Sequence, residues 1–193
     1  AADAGIEIVN IDVVLDPEAM AEAGFDAPFV GPDNRAGAKM VGDVLAAEVG
    51  PGAKVIILEG NPGAENAAQR ATGFMDAAEE GNLEVVASQT AHWETDEAFE
   101  LVSNLLTANP DVVGIMASND SMALGAVQAV EAMGLTDQVT IVGFDNIEPI
   151  QPLVLDGTVL ATLDQFGAEM AANGIDVAME MLAGEERTGW VKT

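Results

Sequence analysis

The stretch Val112-Val-Gly-Ile-Met-Ala-Ser-Asn-Asp-Ser-Met-Ala-Leu-Gly125 changes its period half-way along. Residues 112–117 are a short apolar run interrupted only by Gly114, the pattern of a strand buried on both faces. Asn119 and Asp120 follow, two residue types favoured at helix N-termini. Residues 121–133 then carry apolar positions at a 3.6-residue spacing, so one strand feeds directly into one helix. The same unit recurs in both directions. Strands are expected over residues 6–11, 27–30, 54–58, 84–88, 140–144 and 159–163, and helices over 36–49, 65–79, 96–108 and 168–182. Such alternation predicts an α/β fold with mainly parallel sheets and right-handed crossovers. Two sub-assemblies fit better than one, and with no flexible linker or tandem repeat in the sequence, any boundary must be a direct crossing of the chain.

Composition narrows the function. The chain has 193 residues, with 33 Asp and Glu against 6 Lys and Arg, for a formal net charge of -27. A nucleic-acid surface needs clustered cations, which this chain lacks. Hydrophobic residues make up 49% and the mean hydropathy is +0.24, enough apolar material for a packed core. Cysteine is absent, which removes disulfides, thiolate nucleophiles and thiolate-bound zinc together. The apolar runs fall far short of the roughly 18–20 residues that a membrane span needs. Residues 1–5 read as the end of a helix running into the first strand.

In an open parallel sheet, ligands bind beyond the carboxyl ends of the strands. The polar and aromatic residues expected there are Asp12, Trp93, Asn119, Asp120, Asp145 and Gln165. Carboxylates and amides pair with adjacent hydroxyls, and an aromatic ring packs on the apolar face of a sugar, so the set suits a polyhydroxylated ligand. Arg70 adds to it. Its guanidinium borders the apolar stripe Ala67, Ala71, Phe74 and Ala78, where a charge needs a partner. Each residue also has a plainer reading. Arg70 suits a structural ion pair; Asn119 and Asp120 suit helix caps; Asp12 and Asp145 suit turns; Trp93 suits the core; Gln165 suits a cap. Coincidence of all of them at strand ends favours a site.

Catalytic patterns are missing. The one histidine, His92, lies beside Trp93 in a loop. There is no Gly-x-Ser-x-Gly elbow. The turn Gly60-Asn-Pro-Gly63 lacks both the dinucleotide and the phosphate-loop signatures. No enzyme activity, cofactor or metal is therefore expected.

Seven segments, in this order and spacing, carry a family likeness: Gly5-Ile-Glu-Ile-Val-Asn-Ile-Asp12, Asp33-Asn-Arg-Ala-Gly-Ala-Lys39, Lys54-Val-Ile-Ile-Leu-Glu-Gly60, Arg70-Ala-Thr-Gly-Phe74, Ser118-Asn-Asp-Ser-Met-Ala-Leu-Gly125, Val142-Gly-Phe-Asp145 and Asp156-Gly-Thr-Val-Leu-Ala-Thr-Leu-Asp-Gln165. Over nearly its whole length the chain resembles the ribose- and allose-binding proteins of bacterial ABC transporters. The resemblance implies a type 1 periplasmic binding fold of two hinged lobes that hold a monosaccharide or sugar alcohol and deliver it to an ABC transporter permease. It places the sugar contacts on Asp12, Arg70, Trp93, Asn119, Asp145 and Gln165. It implies a periplasmic or extracellular protein, monomeric at full length, that meets the membrane only through the permease or a lipid anchor. Val13 stands where ribose binders carry Arg, and the segment over residues 15–24 looks more like the allose branch or polyol relatives. The rival is the effector domain of a lac-repressor-type regulator, which shares the Ser-Asn-Asp and Gly-Phe-Asp signatures but not the 156–165 stretch.

The resemblance also implies N-terminal truncation. Residues 1–32 and 166–190 would be a remnant of the first lobe, and residues 33–165 with 191–193 the second. Sugar binding by this chain alone is accordingly expected to be weak or absent, and micromolar binding in calorimetry overturns that. The surplus of acids matches proteins of saline habitats, where screening suppresses self-repulsion, so a halophilic setting is expected. The protein should melt at a higher temperature in molar salt than in dilute buffer; equal melting temperatures refute the habitat reading.

Overall fold

The alternation of strand and helix runs through the whole computed structural model, which describes residue 1 and residues 4–193. Residues 2 and 3, part of the expected N-terminal helix end, lie outside the described residues. In chain order the elements are β1 (Asn10–Ile11), α1 (Pro17–Glu22), β2 (Phe29–Gly31), α2 (Asn34–Val49), β3 (Lys54–Glu59), α3 (Glu65–Glu80), β4 (Glu84–Thr90), α4 (Thr95–Ala108), β5 (Val112–Ala117), α5 (Asp120–Ala132), β6 (Thr140–Asp145), α6 (Gln151–Leu155), β7 (Ala161–Asp164), α7 (Gly167–Leu182) and β8 (Trp190–Lys192).

They fall into two units, one of Ala1–Asp33 with Gln165–Thr193, the other Asn34–Asp164. The larger unit is a five-stranded parallel sheet in the order β4-β3-β5-β6-β7. Period-two alternation explains its continuous apolar strands. Val55 and Ile57 of β3 pack with Leu45, Phe74, Met116 and Phe144 on one face. Ile56 and Leu58, their neighbours in sequence, pack with Val102, Leu106, Ile115 and Met122 on the other. Both faces of β3 are dry, so its interior positions Val55–Leu58 are all apolar and buried, and each such side chain contributes about 1.5–3 kcal/mol by leaving water. The chain runs from β3 to β4 on one side and then crosses back to β5 on the other side of β3, from which it continues outward to β6 and β7. That reversal is the switch point at which loops part and leave a crevice beyond the strand ends.

The smaller unit is a three-stranded parallel sheet, β1-β2-β8, with Val30, Met170 and Val177 at its core. Several features depart from the sequence expectation, among them the unexpected short helix α6 and strand β8. The first strand shrinks from residues 6–11 to Asn10–Ile11, because only these two find ladder partners, Phe29 and Val30, among the described residues. Residues 191–193, expected with the larger lobe, lie with the smaller unit: β8 pairs with β2, and the Trp190 indole N–H donates to the Gly31 carbonyl at 2.9 Å. Helix α1 is additional. Its signal was present in Asp16-Pro17: Asp16 accepts from the Glu18 and Ala19 amides and Pro17 occupies the first turn. No helix among the described residues is long and apolar enough to cross a membrane.

Candidate functional site

All six cations of the chain make ion pairs. Five of these side chains are 28–59% exposed, whereas that of Arg70 is 4% exposed. The difference follows from its place on α3, where the helix meets the carboxyl ends of β3 and β5. Its Nε donates to Asn34 Oδ1 at 2.8 Å, and its Nη1 donates to the Ser118 carbonyl at 2.8 Å and to Asp145 Oδ1 at 3.2 Å. The guanidinium carbon lies over the Phe144 ring, 3.7 Å from its centroid, and 5.6 Å from that of Trp93. Planar, weakly hydrated and rich in donors, guanidinium is the cation best suited to such a place. The ion-pair reading and the strand-end reading of Arg70 are therefore met by one geometry.

Trp93 sits in the loop between β4 and α4, with φ of 69°. A side chain of this bulk is rarely found there. The turn is held by Thr90 Oγ1, which donates to the Gly60 carbonyl at 2.6 Å and accepts from the His92 amide at 3.1 Å. The indole covers the carboxyl end of β3 so closely that a Cβ on Gly60 would stand 1.9 Å from Trp93 Cζ2. Glycine at position 60 is thus the space into which the ring fits.

Asn119 is the N-cap of α5: its Oδ1 accepts from the Met122 amide at 2.9 Å. Its Nδ2 donates to the Trp93 carbonyl at 3.4 Å, tying the Trp93 loop to the end of β5. The capping reading holds, and the residue remains on the rim of the same crevice. Asp145 ends β6 with φ of 121°, and Asn146 follows at 56°. Backbone in this region costs on the order of 1–3 kcal/mol and persists only where its surroundings enforce it.

Four of the six expected residues, Arg70, Trp93, Asn119 and Asp145, thus gather at the strand ends of the larger unit. Asp12 and Gln165 belong to the smaller unit. Asp12 is exposed, has φ of 70°, and its amide donates to the Val30 carbonyl at 3.0 Å. Gln165 is half-buried between β7 and α7, and the cap of α7 is Phe166, not Gln165. His92 is exposed and pairs with Glu97 at 2.6 Å. No cluster of three or more potential metal ligands occurs among the described residues.

A match to the periplasmic binding protein domain model extends over residues 1–186. The chain belongs to the periplasmic binding protein family. Within it, the chain is 46% identical over 197 aligned residues to a D-ribose/D-allose-binding protein of Pseudomonas aeruginosa, covering 100% of this chain and 62% of that one. It is 38% identical over 173 residues to a ribose import binding protein of Salmonella typhimurium, covering 90% and 58% respectively. Among solved structures, it superposes with a TM-score of 0.96 and 39% identity on an ABC transporter solute-binding protein of Actinobacillus succinogenes with bound D-allose, covering 100% of this chain and 69% of that one. The chain thus spans about three fifths of the length of these curated relatives. Its parallel sheets flanked by helices are those of type 1 periplasmic binding proteins.

Two further residues belong to this periplasmic binding protein's polar network, and sequence reasoning missed the first of them. Asn34 is 3% exposed and accepts from Arg70, and its signal was a lone amide opening an apolar helix. Asp120, expected at the strand end with a helix cap as its plainer reading, is fully buried, its carboxylate accepting from Thr162 Oγ1 at 2.7 Å and from the Ile147 amide at 3.0 Å. Burial raises its pKa to about 6; the Thr162 and Ile147 hydrogen bonds oppose the rise and the negative charge of Asp145 adds to it. The folded protein therefore holds this proton more tightly than the unfolded chain. The stability it contributes is complete below the ordinary carboxyl value of 3.8 and is lost as pH rises through about 6. Asp120→Asn removes that dependence, so in urea unfolding the variant's stability relative to the wild type should climb between about pH 4 and about pH 7. A pH-independent difference contradicts the assignment.

Proposed function

We propose that this chain is part of an extracytoplasmic solute-binding protein that captures a monosaccharide or sugar alcohol and hands it to an ABC transporter permease without altering it. Asp12, Arg70, Trp93, Asn119, Asp145 and Gln165 are its sugar contacts. The observation that carries the reading is the buried Arg70 guanidinium, set among Asp145, Phe144 and Trp93 at the switch point of the sheet. A guanidinium and a carboxylate side by side offer fixed donors and acceptors for neighbouring hydroxyls, and charge-assisted bonds of this kind are roughly twice as strong as neutral ones. The indole supplies an apolar face for the C–H side of a pyranose or furanose ring. The names of the relatives, a D-ribose/D-allose-binding protein and a ribose import binding protein, support transport over the effector domain of a transcription regulator. Val13, where ribose binders carry Arg, argues against ribose itself, and the segment over residues 15–24 favours an allose-like sugar or a polyol. Location outside the cytoplasmic membrane and a monomeric state belong to the same proposal.

A thermal-shift screen of sugars and polyols on the full-length protein tests it. At least one should raise the melting temperature by several degrees, since a ligand at about 1,000 times its Kd adds about 4 kcal/mol. Asp145→Ala should weaken that ligand roughly 10- to 100-fold, the loss expected for one charge-assisted hydrogen bond. An unchanged response in the variant removes Asp145 from the site, and silence across the whole screen sinks the function.

A further inference from the structure

Asp120 is spent on nothing that helix α5 requires. The cap is Asn119, and the Asp120 carboxylate turns instead toward β6 and β7. Its Oδ2 accepts from the Ile147 amide at 3.0 Å, and its Oδ1 accepts from Thr162 Oγ1 at 2.7 Å. The same Thr162 oxygen accepts from the Asn146 amide at 3.3 Å. One buried carboxylate therefore grips two successive amides, one directly and one through a hydroxyl, immediately after the strained residue Asp145. Room for it is built into β6: a Cβ on Gly143 would stand 2.2 Å from Asp120 Oδ1. Two more bonds secure the same turn, from Asn146 Nδ2 to Asp164 at 2.9 Å and from Gln151 Nε2 to the Asn146 carbonyl at 3.2 Å, but both are exposed.

We infer that Asp120 is a positioning residue for sugar binding, clamping residues 146–147 so that Asp145 keeps its positive φ and holds its carboxylate against Arg70. The inference rests on the proposed sugar contacts. Positive φ at Asp145 is uphill by itself, and an unclamped residue relaxes toward ordinary extended backbone, which rotates the side chain about the strand and carries the carboxylate away from Nη1. Gly143 and Thr162 belong to the same device. They act through Asp120, as Asp120 acts through Asp145, and none of the three needs to touch the sugar.

A double-mutant cycle separates this from general stability. D-allose affinity of the full-length protein is measured by calorimetry for the wild type, Asp120→Ala, Asp145→Ala and the double variant. Asp120→Ala should weaken binding tenfold or more in the wild-type background and less than twofold in the Asp145→Ala background, because its effect passes through Asp145. Equal losses in both backgrounds, or none in either, overturn the inference. Thr162→Val, which preserves shape and deletes the bridging hydroxyl, should show the same pattern with a loss of about threefold and serves if Asp120→Ala does not fold. Hydrogen exchange at the Ile147 amide needs no ligand. It should quicken at least tenfold in Asp120→Ala, and the Asn146 amide likewise in Thr162→Val, relative to amides of the central strands, and unchanged protection also overturns the clamp. If the wild type binds no sugar, the proposed function falls while the exchange measurement still decides the clamp.

Discussion

The Arg70 guanidinium, dry and multiply hydrogen-bonded, ties together four parts of the larger unit. It extends from α3, donates to oxygens at the start of α2, the end of β5 and the end of β6, and packs over the Phe144 ring. Stripping a cation of water costs several kcal/mol, and attraction offsets that only when geometry and hydrogen bonds are nearly complete. Each partner is therefore constrained in turn: Asn34, the Ser118 carbonyl and Asp145 must each present an oxygen to the guanidinium. In a chain with a net charge of -27, the surface pairs of the other cations are screened and contribute little by comparison.

Strain is concentrated around that guanidinium. Trp93, Asp145 and Asn146 have positive φ without being glycine, and all three lie at or just beyond the carboxyl ends of strands in the larger unit. Each is enforced from outside the residue itself: the Trp93 turn by Thr90 and Asn119, the Asp145 turn by Asp120 and Thr162. Two glycines make space for these contacts, Gly60 for the indole and Gly143 for the buried carboxylate. Pre-organisation of this kind keeps polar groups in place before any ligand arrives, which reduces the ordering cost of binding.

Much of this was legible in residue order, and the limits are instructive. Strand ends followed by polar residues pointed to Trp93, Asn119 and Asp145, because in a parallel sheet the position along the chain already says which end of the strand a residue occupies, and the charge of Arg70 beside an apolar helical stripe pointed to the fourth. The Asp16-Pro17 signature of α1 was legible and was passed over. Asn34 and Asp120 were harder, since an Asn or Asp at the start of a helix is locally indistinguishable from a cap. Here one such residue, Asn119, is a cap, whereas its neighbour Asp120 is a buried acceptor for a different strand. The small β8 was illegible because a three-residue exposed strand has no periodicity to read.

Period and punctuation are local, so the sequence by itself determined the α/β class, the parallel sense of the sheets, the order of most elements and the crossing of the chain between two assemblies. Chemistry at a point in space is not local. That Arg70, Asn34, Ser118 and Asp145, as far as 111 positions apart, surround a single guanidinium was decided only when the sheet took the order β4-β3-β5-β6-β7 and brought those strand ends together. Tertiary structure likewise decided which acid is buried. Asp120 has the same side chain as the solvated acids around it, and only the absence of water at its position, with Thr162 and Ile147 as its donors, sets it apart.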